Sequence, residues 1–287
     1  MSFRIYILLF LAMFAVSTSP IIARYLDHLS PITIALWRMV IAAFIMSCYG
    51  YYRYDFKPMS SANHIKIVIA GILLGIHFAL FYGAIALMPN NIANATVFGT
   101  MAPLFALFIE IYFGKSIGKK LIFGLLIVLL GSSIMFIYDF SIDNNLTIGN
   151  ILAILCSICF AFVFILSDQV NKTEHSFNFS KNVFMYASLT LLLVGIVMNI
   201  PFFKISFSDF ILLFLLGVIP TIMGHSILYY LVKYLRPTIV ASIPLGEPFI
   251  ASIFAYFLFE GQDFNVSIIL GGLTTLLGLF IIIQNKK

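Results

Sequence analysis

Charged residues are scarce in this chain: Asp, Glu, Lys and Arg make up only 9% of its 287 residues. Soluble globular domains carry roughly 25%, so this composition cannot cover a water-exposed surface of normal size. The sequence also contains no P-loop, no H-E-x-x-H and no G-x-S-x-G motif. These absences argue against a soluble enzyme and against a transporter driven directly by ATP.

Cysteine is also rare, and the three present are Cys48, Cys156 and Cys159. The last two form a C-x-x-C inside an apolar run, where no nearby histidine or further cysteine completes a metal-ligand set. We expect buried thiols, no metal and no cofactor. The formal net charge of +5 does not predict a nucleic-acid partner, because the basic residues fall in short loops between apolar runs, as in membrane proteins.

Long apolar runs dominate the rest of the sequence, which is 62% hydrophobic with a mean hydropathy of +1.10. A helix needs about 17–25 apolar residues to cross a bilayer. Ten runs approach or reach that length, and they predict an all-α integral membrane protein. The predicted spans lie near 5–23, 32–51, 65–87, 92–113, 120–138, 149–167, 183–200, 210–231, 238–259 and 266–283.

The loops between these spans predict the orientation in the membrane. Thirteen basic residues fall on the side of the N-terminus: Arg4, Arg53, Lys57, Lys66, Lys115, Lys119, Lys120, Lys172, Lys181, Lys233, Arg236, Lys286 and Lys287. Only Arg24 and Lys204 fall on the other side, and Arg38 lies within a span. The positive-inside rule then places both termini in the cytoplasm, and we expect the plasma membrane of a bacterial cell (the inner membrane).

Local patterns recur at one separation along the chain. His77 and His225 each stand four residues before an aromatic pair, and they are 148 residues apart. Pro103 and Pro248 lie in alignable segments, F-G-T-M-A-P-L-F and I-P-L-G-E-P-F, at a separation of 145. Glycine pairs recur at 147, with Gly124 and Gly131 repeated as Gly271 and Gly278.

These recurrences predict two repeats of five helices, residues 1–143 and 144–287. Because five is odd, the second repeat enters the membrane from the opposite side. Inverted repeats of this kind are common in secondary transporters.

Four segments resemble the EamA branch of the drug/metabolite transporter superfamily. They are H-L-S-P-I-T-I-A-L-W-R (His28–Arg38), the aromatic-rich third span, the A-P of the fourth, and L-G-E-P-F-I-A-S-I-F-A-Y-F-L-F-E (Leu245–Glu260). The resemblance implies a secondary transporter of small metabolites or drugs with a central cavity between the repeats. This chain departs from the family pattern at Lys115, where the family often has Glu. Its two halves also differ, because Ala102 stands at the position of the first half that aligns with Glu247 in the second.

Glu247 lies about ten residues into the ninth span, near the predicted midplane. A carboxylate is costly at that depth, so we favour a role in binding a cation or carrying a proton over a structural carboxyl bonded to a neighbouring helix. The helix breakers around it are Pro244, Gly246 and Pro248, and those of the fourth span are Gly99 and Pro103. Paired breaks can expose backbone groups to a ligand, or they can serve packing alone.

Arg38, His77 and His225 are further candidates for binding or coupling. Arg38 could hold an anionic group, pair with Glu247, or extend to the outer headgroups. The histidines could bind the solute or relay protons, or be packing residues. Tyr82, Tyr229 and Tyr230 could stack on a flat or cationic solute, although most aromatics of this chain serve packing. We interpret Glu110, one turn before Lys115, as a partner in an interfacial ion pair and not as a ligand of the solute.

The sequence therefore favours a secondary transporter, acting as an exporter by alternating access around a midplane cavity, and not an enzyme. Its expected partners are a small-molecule solute, the lipid bilayer and protons, and a homodimer is left open. Two alternatives from other classes stay open: a membrane-embedded enzyme that acts on a lipid, and a scaffold or sensor that transports nothing.

Overall fold

The structure is a computed structural model that describes residues 3–53, 60–88, 97–135, 144–260 and 264–284, with only the backbone of 144–146. Every regular element in these residues is helical. The helices are α1 (Phe3–Arg24), α2 (Pro31–Arg53), α3 (Ser61–Leu87), α4 (Ala102–Tyr112), α5 (Lys119–Met135), α6 (Asn144–Val170), α7 (Ser176–Val197), α8 (Phe207–Leu231), α9 (Pro237–Leu258) and α10 (Val266–Ile283).

Eight of these helices are long and apolar enough to cross a membrane, by length and composition. The other two, α4 and α5, have 11 and 17 residues. The predicted fourth and fifth spans, 92–113 and 120–138, extend into residues 89–96 and 136–143, which lie outside the described part. The count of ten spans therefore stays a prediction, while the all-helical membrane class is confirmed.

The outward faces of the long helices carry large apolar side chains. Phe10, Leu193 and Phe280 are 58–65% exposed, and many similar residues surround them. A soluble monomer rarely exposes contiguous apolar patches larger than a few hundred Å². In a bilayer the same surface is required, because the surrounding lipid tails are themselves apolar.

Three helices change their geometry part-way along. In α1, Thr18 separates the segments Phe3–Ser17 and Ser19–Arg24. In α8, residues Gly217–His225 form a π-helix around Pro220, whose missing N–H interrupts the α-helical ladder. In α9, residues Ile243–Gly246 form a 3₁₀ turn before the α-helix resumes at Glu247.

The fourth and ninth helices have matching interruptions. A turn at Thr100 precedes α4, which begins at Ala102 with Pro103 in its first turn. The second α-helical part of α9 begins at Glu247, again with Pro248 in its first turn. Proline fits there because the first amides of a helix have no intrahelical acceptor. Both new helix starts thus coincide with the two segments that align in the sequence.

Glycines allow α5 and α10 to cross with their backbones in contact. A Cβ added at Gly131 would lie 2.5 Å from the backbone nitrogen of Thr275 and 2.6 Å from the carbonyl oxygen of Gly271. One added at Gly278 would lie 2.8 Å from the carbonyl oxygen of Gly124. The four glycines that recur in the sequence therefore form two pairs, Gly124 with Gly278 and Gly131 with Gly271, and the helices cross antiparallel.

A second close crossing joins α3 to α7. A Cβ at Gly71 would lie 2.3 Å from the Cβ of Tyr186, and one at Gly75 would lie 3.0 Å from the carbonyl oxygen of Ala187. Small residues permit such approaches between membrane helices. Because α3 carries His77 and Tyr82, this crossing helps to fix the wall of the cavity described next.

A buried polar cavity as the candidate functional site

A small cavity lies where six helices meet. Its lining comes from α1, α2, α3 and the turn before α4 in the first half, and from α6, α8 and α9 in the second. The lining residues are Val16, Ser19, Arg38, His77, Phe78, Phe81, Gly99, Thr100, Phe160, His225, Pro244 and Glu247. Six of the twelve residues proposed from the sequence thus line one space: Arg38, His77, Gly99, His225, Pro244 and Glu247.

Arg38 is the most highly connected side chain of the cavity, and it is fully buried. Its Nε donates to Thr221 Oγ1 at 2.6 Å, and its Nη1 donates to Ser19 Oγ at 2.8 Å and to the Tyr82 hydroxyl at 2.7 Å. The guanidinium carbon lies 4.1 Å from the centre of the Phe78 ring, a cation–π contact. Arg38 thus points inward, and the alternative of a side chain that extends to the outer headgroups is wrong.

One donor group of Arg38 is left over. Its Nη2 is buried and makes no hydrogen bond to any described residue. Buried polar groups are nearly always paired, and an unpaired one at a charged group costs several kcal/mol. An anionic group in the cavity would provide the missing acceptor.

Glu247 is 5% exposed and begins the second α-helical part of α9. No hydrogen bond joins its carboxylate to another described residue, and no ion pair within 4.0 Å joins it to Arg38. A structural carboxyl of the kind considered above would be bonded to a neighbouring helix. Glu247 instead faces the cavity that Arg38 also lines, and the two residues make no direct ion pair.

One histidine lies in each half of the chain, and both contact the rings of Phe78 and Phe160. His77 stacks on Phe160 with the ring centres 4.4 Å apart, and His225 meets the same ring edge-on at 5.3 Å. His77 Nδ1 lies 3.0 Å from the carbonyl oxygen of Cys156 and 3.1 Å from its Sγ. The Nδ1 of His225, by contrast, has no partner among the described residues.

The three tyrosines occupy different places. Tyr82 is held against Arg38 and Ser19 beside the cavity. Tyr229 is fully buried among Phe164, Phe179 and Phe184 and does not line the cavity. Tyr230 points elsewhere.

The Tyr230 hydroxyl lies 2.9 Å from that of Tyr234, and its ring lines a separate cavity near Arg4 and His175. Its proposed place beside the other candidates is therefore wrong. The remaining helix breakers are Pro103, Gly246 and Pro248. They do not line the cavity themselves, but each lies within three positions of a residue that does.

Sequence reasoning did not identify Ser19, Thr221 or Phe160. The two hydroxyl residues each stand next to a proline, Pro20 or Pro220, inside a predicted span. That pairing is the one signal that could have drawn attention to them. Phe160 is one of 31 phenylalanines, and nothing local distinguishes it.

The cavity is small. It has about 30 Å³ of room for the centre of a water molecule, and one water needs roughly 10–15 Å³ by that measure. Two water molecules would therefore fill it, and any larger solute requires the surrounding helices to separate. Among the described residues, no three His, Cys, Asp or Glu side chains come together as a metal site.

The family model described as the EamA-like transporter family matches this chain over residues 3–137 and again over residues 147–284. The chain belongs to the EamA-like transporter family. Its members are identified by such matches, and here the two matched segments together cover nearly the whole sequence. The family thus shows a membrane transporter, and the eight apolar helices agree with its integration in a membrane.

Two comparisons with single proteins agree with the family. An uncharacterized transporter of Archaeoglobus fulgidus is 25% identical over 198 residues, which is 68% of each chain. A protein of known crystal structure superposes with a TM-score of 0.77 over 97% of this chain and 96% of that one. The second pair is 15% identical, so it shows the shared fold and nothing about the solute.

Proposed function

We propose that this EamA-family protein is a secondary transporter that exports a small metabolite or drug through the cavity between its two halves. The observation that carries the proposal is the joint presence in that cavity of Arg38 and Glu247. Among the described residues, Arg38 Nη2 has no acceptor and Glu247 makes no ion pair with Arg38. Charged groups inside a membrane bundle are costly, and they mark the pathways of solutes and ions.

The two charges have different roles in this proposal. Arg38 is held in place by three hydrogen bonds, so its free Nη2 is a fixed donor for an anionic group of the solute. Glu247 lies at the start of a helix on the opposite half, where it can bind a cationic group or carry a proton. His77 and His225 are placed to contact the solute beside Phe160, or to pass that proton on.

Two inverted repeats supply the motion. The duplication is supported by the separate family matches to residues 3–137 and 147–284 and by the matching helix starts at Ala102 and Glu247. It is supported further by the α5–α10 crossing, in which Gly124 meets Gly278 and Gly131 meets Gly271. Exchanging the two repeats maps this set of contacts onto itself, as a two-fold relation requires. Alternating access is the rocking of such repeats about a central site.

Reconstitution into proteoliposomes tests the class and the direction. We expect the purified protein to move a solute when it is screened over amines, amino acids and nucleosides. The direction of net movement relative to the orientation of the inserted protein shows whether the flux is export. If no solute moves and a lipid product accumulates instead, the protein is an enzyme and the proposal fails.

The Glu247→Gln variant tests the proton-carrying role. Because glutamine has nearly the same shape but does not titrate, we expect it to abolish proton-coupled flux while the protein still folds. Glu260→Gln is a matched control, since Glu260 is exposed and lies two residues after the end of the same helix. Flux at the wild-type rate with an unchanged pH dependence in Glu247→Gln would reduce this residue to a structural carboxyl.

A further inference from the structure

A cluster of two buried carboxylates, one lysine and one hydroxyl joins the two halves away from the cavity. It consists of Glu110, Lys115, Asp168 and Thr238, and we refer to it as the charged cluster. Lys115 Nζ lies 3.0 Å from Glu110 Oε1 and 3.4 Å from Asp168 Oδ2, and Thr238 Oγ1 donates to Glu110 Oε2. The carboxylates are almost inaccessible, with the Glu110 side chain at 0% and that of Asp168 at 6% exposure.

The cluster connects the helices that would have to part. Glu110 and Lys115 belong to α4 and the residues after it, in the first half, whereas Asp168 is in α6 and Thr238 in α9. A further contact across the halves is made by Arg236 Nη1, which donates to the carbonyl oxygen of Ser116 at 2.6 Å. The charged cluster therefore crosslinks α4 and α9 to each other and to α6.

These are also the helices that form the cavity. The turn before α4 and the 3₁₀ turn of α9 supply Gly99, Thr100, Pro244 and Glu247 to its lining. Eight residues separate Ala102 from Glu110, a rise of about 12 Å along a helix. The charged cluster thus lies about two helical turns from the cavity, on the side that the distribution of basic residues predicts to be cytoplasmic.

The other end of the pathway has no equivalent cluster in its sequence. At the repeat separation of 145 residues, Glu110 corresponds to Ala255, Lys115 to Glu260 and Thr238 to Ala93. The described contacts between the halves at that end include one ion pair, from His28 Nε2 to Asp209 Oδ1 at 3.1 Å, and aromatic rings. Tyr25 packs against Phe259 with ring centres 4.9 Å apart, and the guanidinium of Arg24 lies 4.2 Å from the same ring.

We infer that the charged cluster is the cytoplasmic gate of the transport cycle, closed when Glu110, Lys115, Asp168 and Thr238 are bonded and open when α4 and α9 separate. The inference rests on the proposed transport function. Its physical basis is that buried carboxylates are stable as charges only while they keep their partners. Lys115, whose side chain is 38% exposed, contacts both carboxylates, and Lys172 adds a contact to Asp168 at 4.0 Å. Such a network has two discrete arrangements, bonded and hydrated.

The native thiol of Cys156 provides a reporter that does not depend on flux. It is fully buried, its Sγ lies 3.1 Å from His77 Nδ1 beside the cavity, and it is reachable only when a gate opens. In a Cys48→Ser, Cys159→Ser background, a membrane-impermeant charged methanethiosulfonate can be applied from either face of oriented vesicles. Thr100→Cys in a cysteine-free background is a second reporter, since Thr100 lines the cavity.

We expect Glu110→Gln and Asp168→Asn to increase the labelling rate of Cys156 from the cytoplasmic face by about tenfold or more, with no increase from the outer face. Thr238→Val, which removes one hydrogen bond and no charge, should give a smaller increase from the same face. Glu260→Gln, the exposed counterpart of Lys115 in the repeat, is the control and should change neither rate. Retention of the wild-type elution profile in detergent shows that each variant is folded.

Equal acceleration from both faces would mean general loosening and would overturn the inference, as would unchanged labelling in all three variants of the cluster. Failure of the proposed function has a different signature. In that case the labelling would remain specific to one face while wild-type proteoliposomes moved none of the solutes tested.

Discussion

The crossing of α5 and α10 makes a quantitative prediction about Gly131→Ala. The added Cβ would lie 2.5 Å from the backbone nitrogen and from the Oγ1 of Thr275, and 2.6 Å from the carbonyl oxygen of Gly271. Two of these three atoms belong to the backbone of α10, so no side-chain rotation relieves the overlap. Ordinary contact begins at 3.4 Å, and α10 would have to retreat by roughly 0.9 Å, a gap that forfeits much of the dispersion energy of the crossing.

The expected cost follows from two opposing terms. Overpacking of a tightly packed contact typically costs about 1–3 kcal/mol, whereas Gly to Ala inside a helix gains about 0.8–1 kcal/mol. We therefore expect a net loss of about 0–2 kcal/mol for Gly131→Ala. Gly271→Ala should lose a similar amount, because its Cβ would lie 2.5 Å from the carbonyl oxygen of Gly131.

Gly83→Ala is the matched control. Gly83 also lies within a membrane helix, but a Cβ there would meet its nearest neighbour, Leu152 Cδ1, at 3.6 Å. The helical gain is then unopposed, and stability should rise by up to about 1 kcal/mol. Unfolding in mixed micelles by increasing amounts of SDS measures both variants on one scale. If Gly131→Ala and Gly83→Ala unfolded at the same SDS fraction, the close crossing of α5 and α10 would be refuted.

Three further predictions concern the network around Arg38. Arg38→Lys keeps the charge but cannot bond Thr221, Ser19 and Tyr82 while presenting a free donor, so solute affinity measured by flux should fall at least about tenfold. Thr221→Val leaves the Nε of Arg38 without its acceptor and should cost about 1.5–3 kcal/mol in SDS unfolding, whereas Thr221→Ser should cost little; equal losses would show that the hydroxyl is not used. Tyr82→Phe should weaken solute binding. Tyr230→Phe should not, because the Tyr230 hydroxyl bonds Tyr234 and its ring lines a separate cavity. If Tyr230→Phe weakened binding and Tyr82→Phe did not, the cavity would be excluded as the binding site.

Hydropathy and helix breakers predicted the helices because both act locally. A run of apolar residues must be helical in lipid, where every backbone N–H and C=O has to be bonded within its own segment. The prolines and glycines of I-P-L-G-E-P-F likewise predict an irregular helix, and the structure has its 3₁₀ turn at Ile243–Gly246. The π-helix at Gly217–His225 was not predicted, since one proline in a span does not specify which alternative hydrogen-bond pattern replaces the lost bond.

The repeat pattern predicted which residues are equivalent, but not what they contact. The separation of 147 residues picked out Gly124, Gly131, Gly271 and Gly278 as two pairs along the chain. In the structure the first glycine of each helix contacts the second glycine of the other, because the helices are antiparallel. Lys115 shows the same limit. Its ion pair with Glu110, five residues away, was predicted from the sequence and is confirmed, whereas its contact with Asp168 becomes visible only when α4 and α6 are packed together.

Composition, hydropathy and the positions of charge by themselves determined that this chain is a helical membrane protein with costly polar residues inside its spans, because the bilayer penalises every polar group it surrounds. Tertiary packing alone decided which of those residues meet. It turned Arg38 inward to Ser19, Tyr82 and Thr221. It placed Tyr230 in a separate cavity and Glu247 in the one that Arg38 lines. Side chains from six helices, separated by as many as 231 residues in the sequence between Val16 and Glu247, converge there through packing interactions that no local pattern encodes.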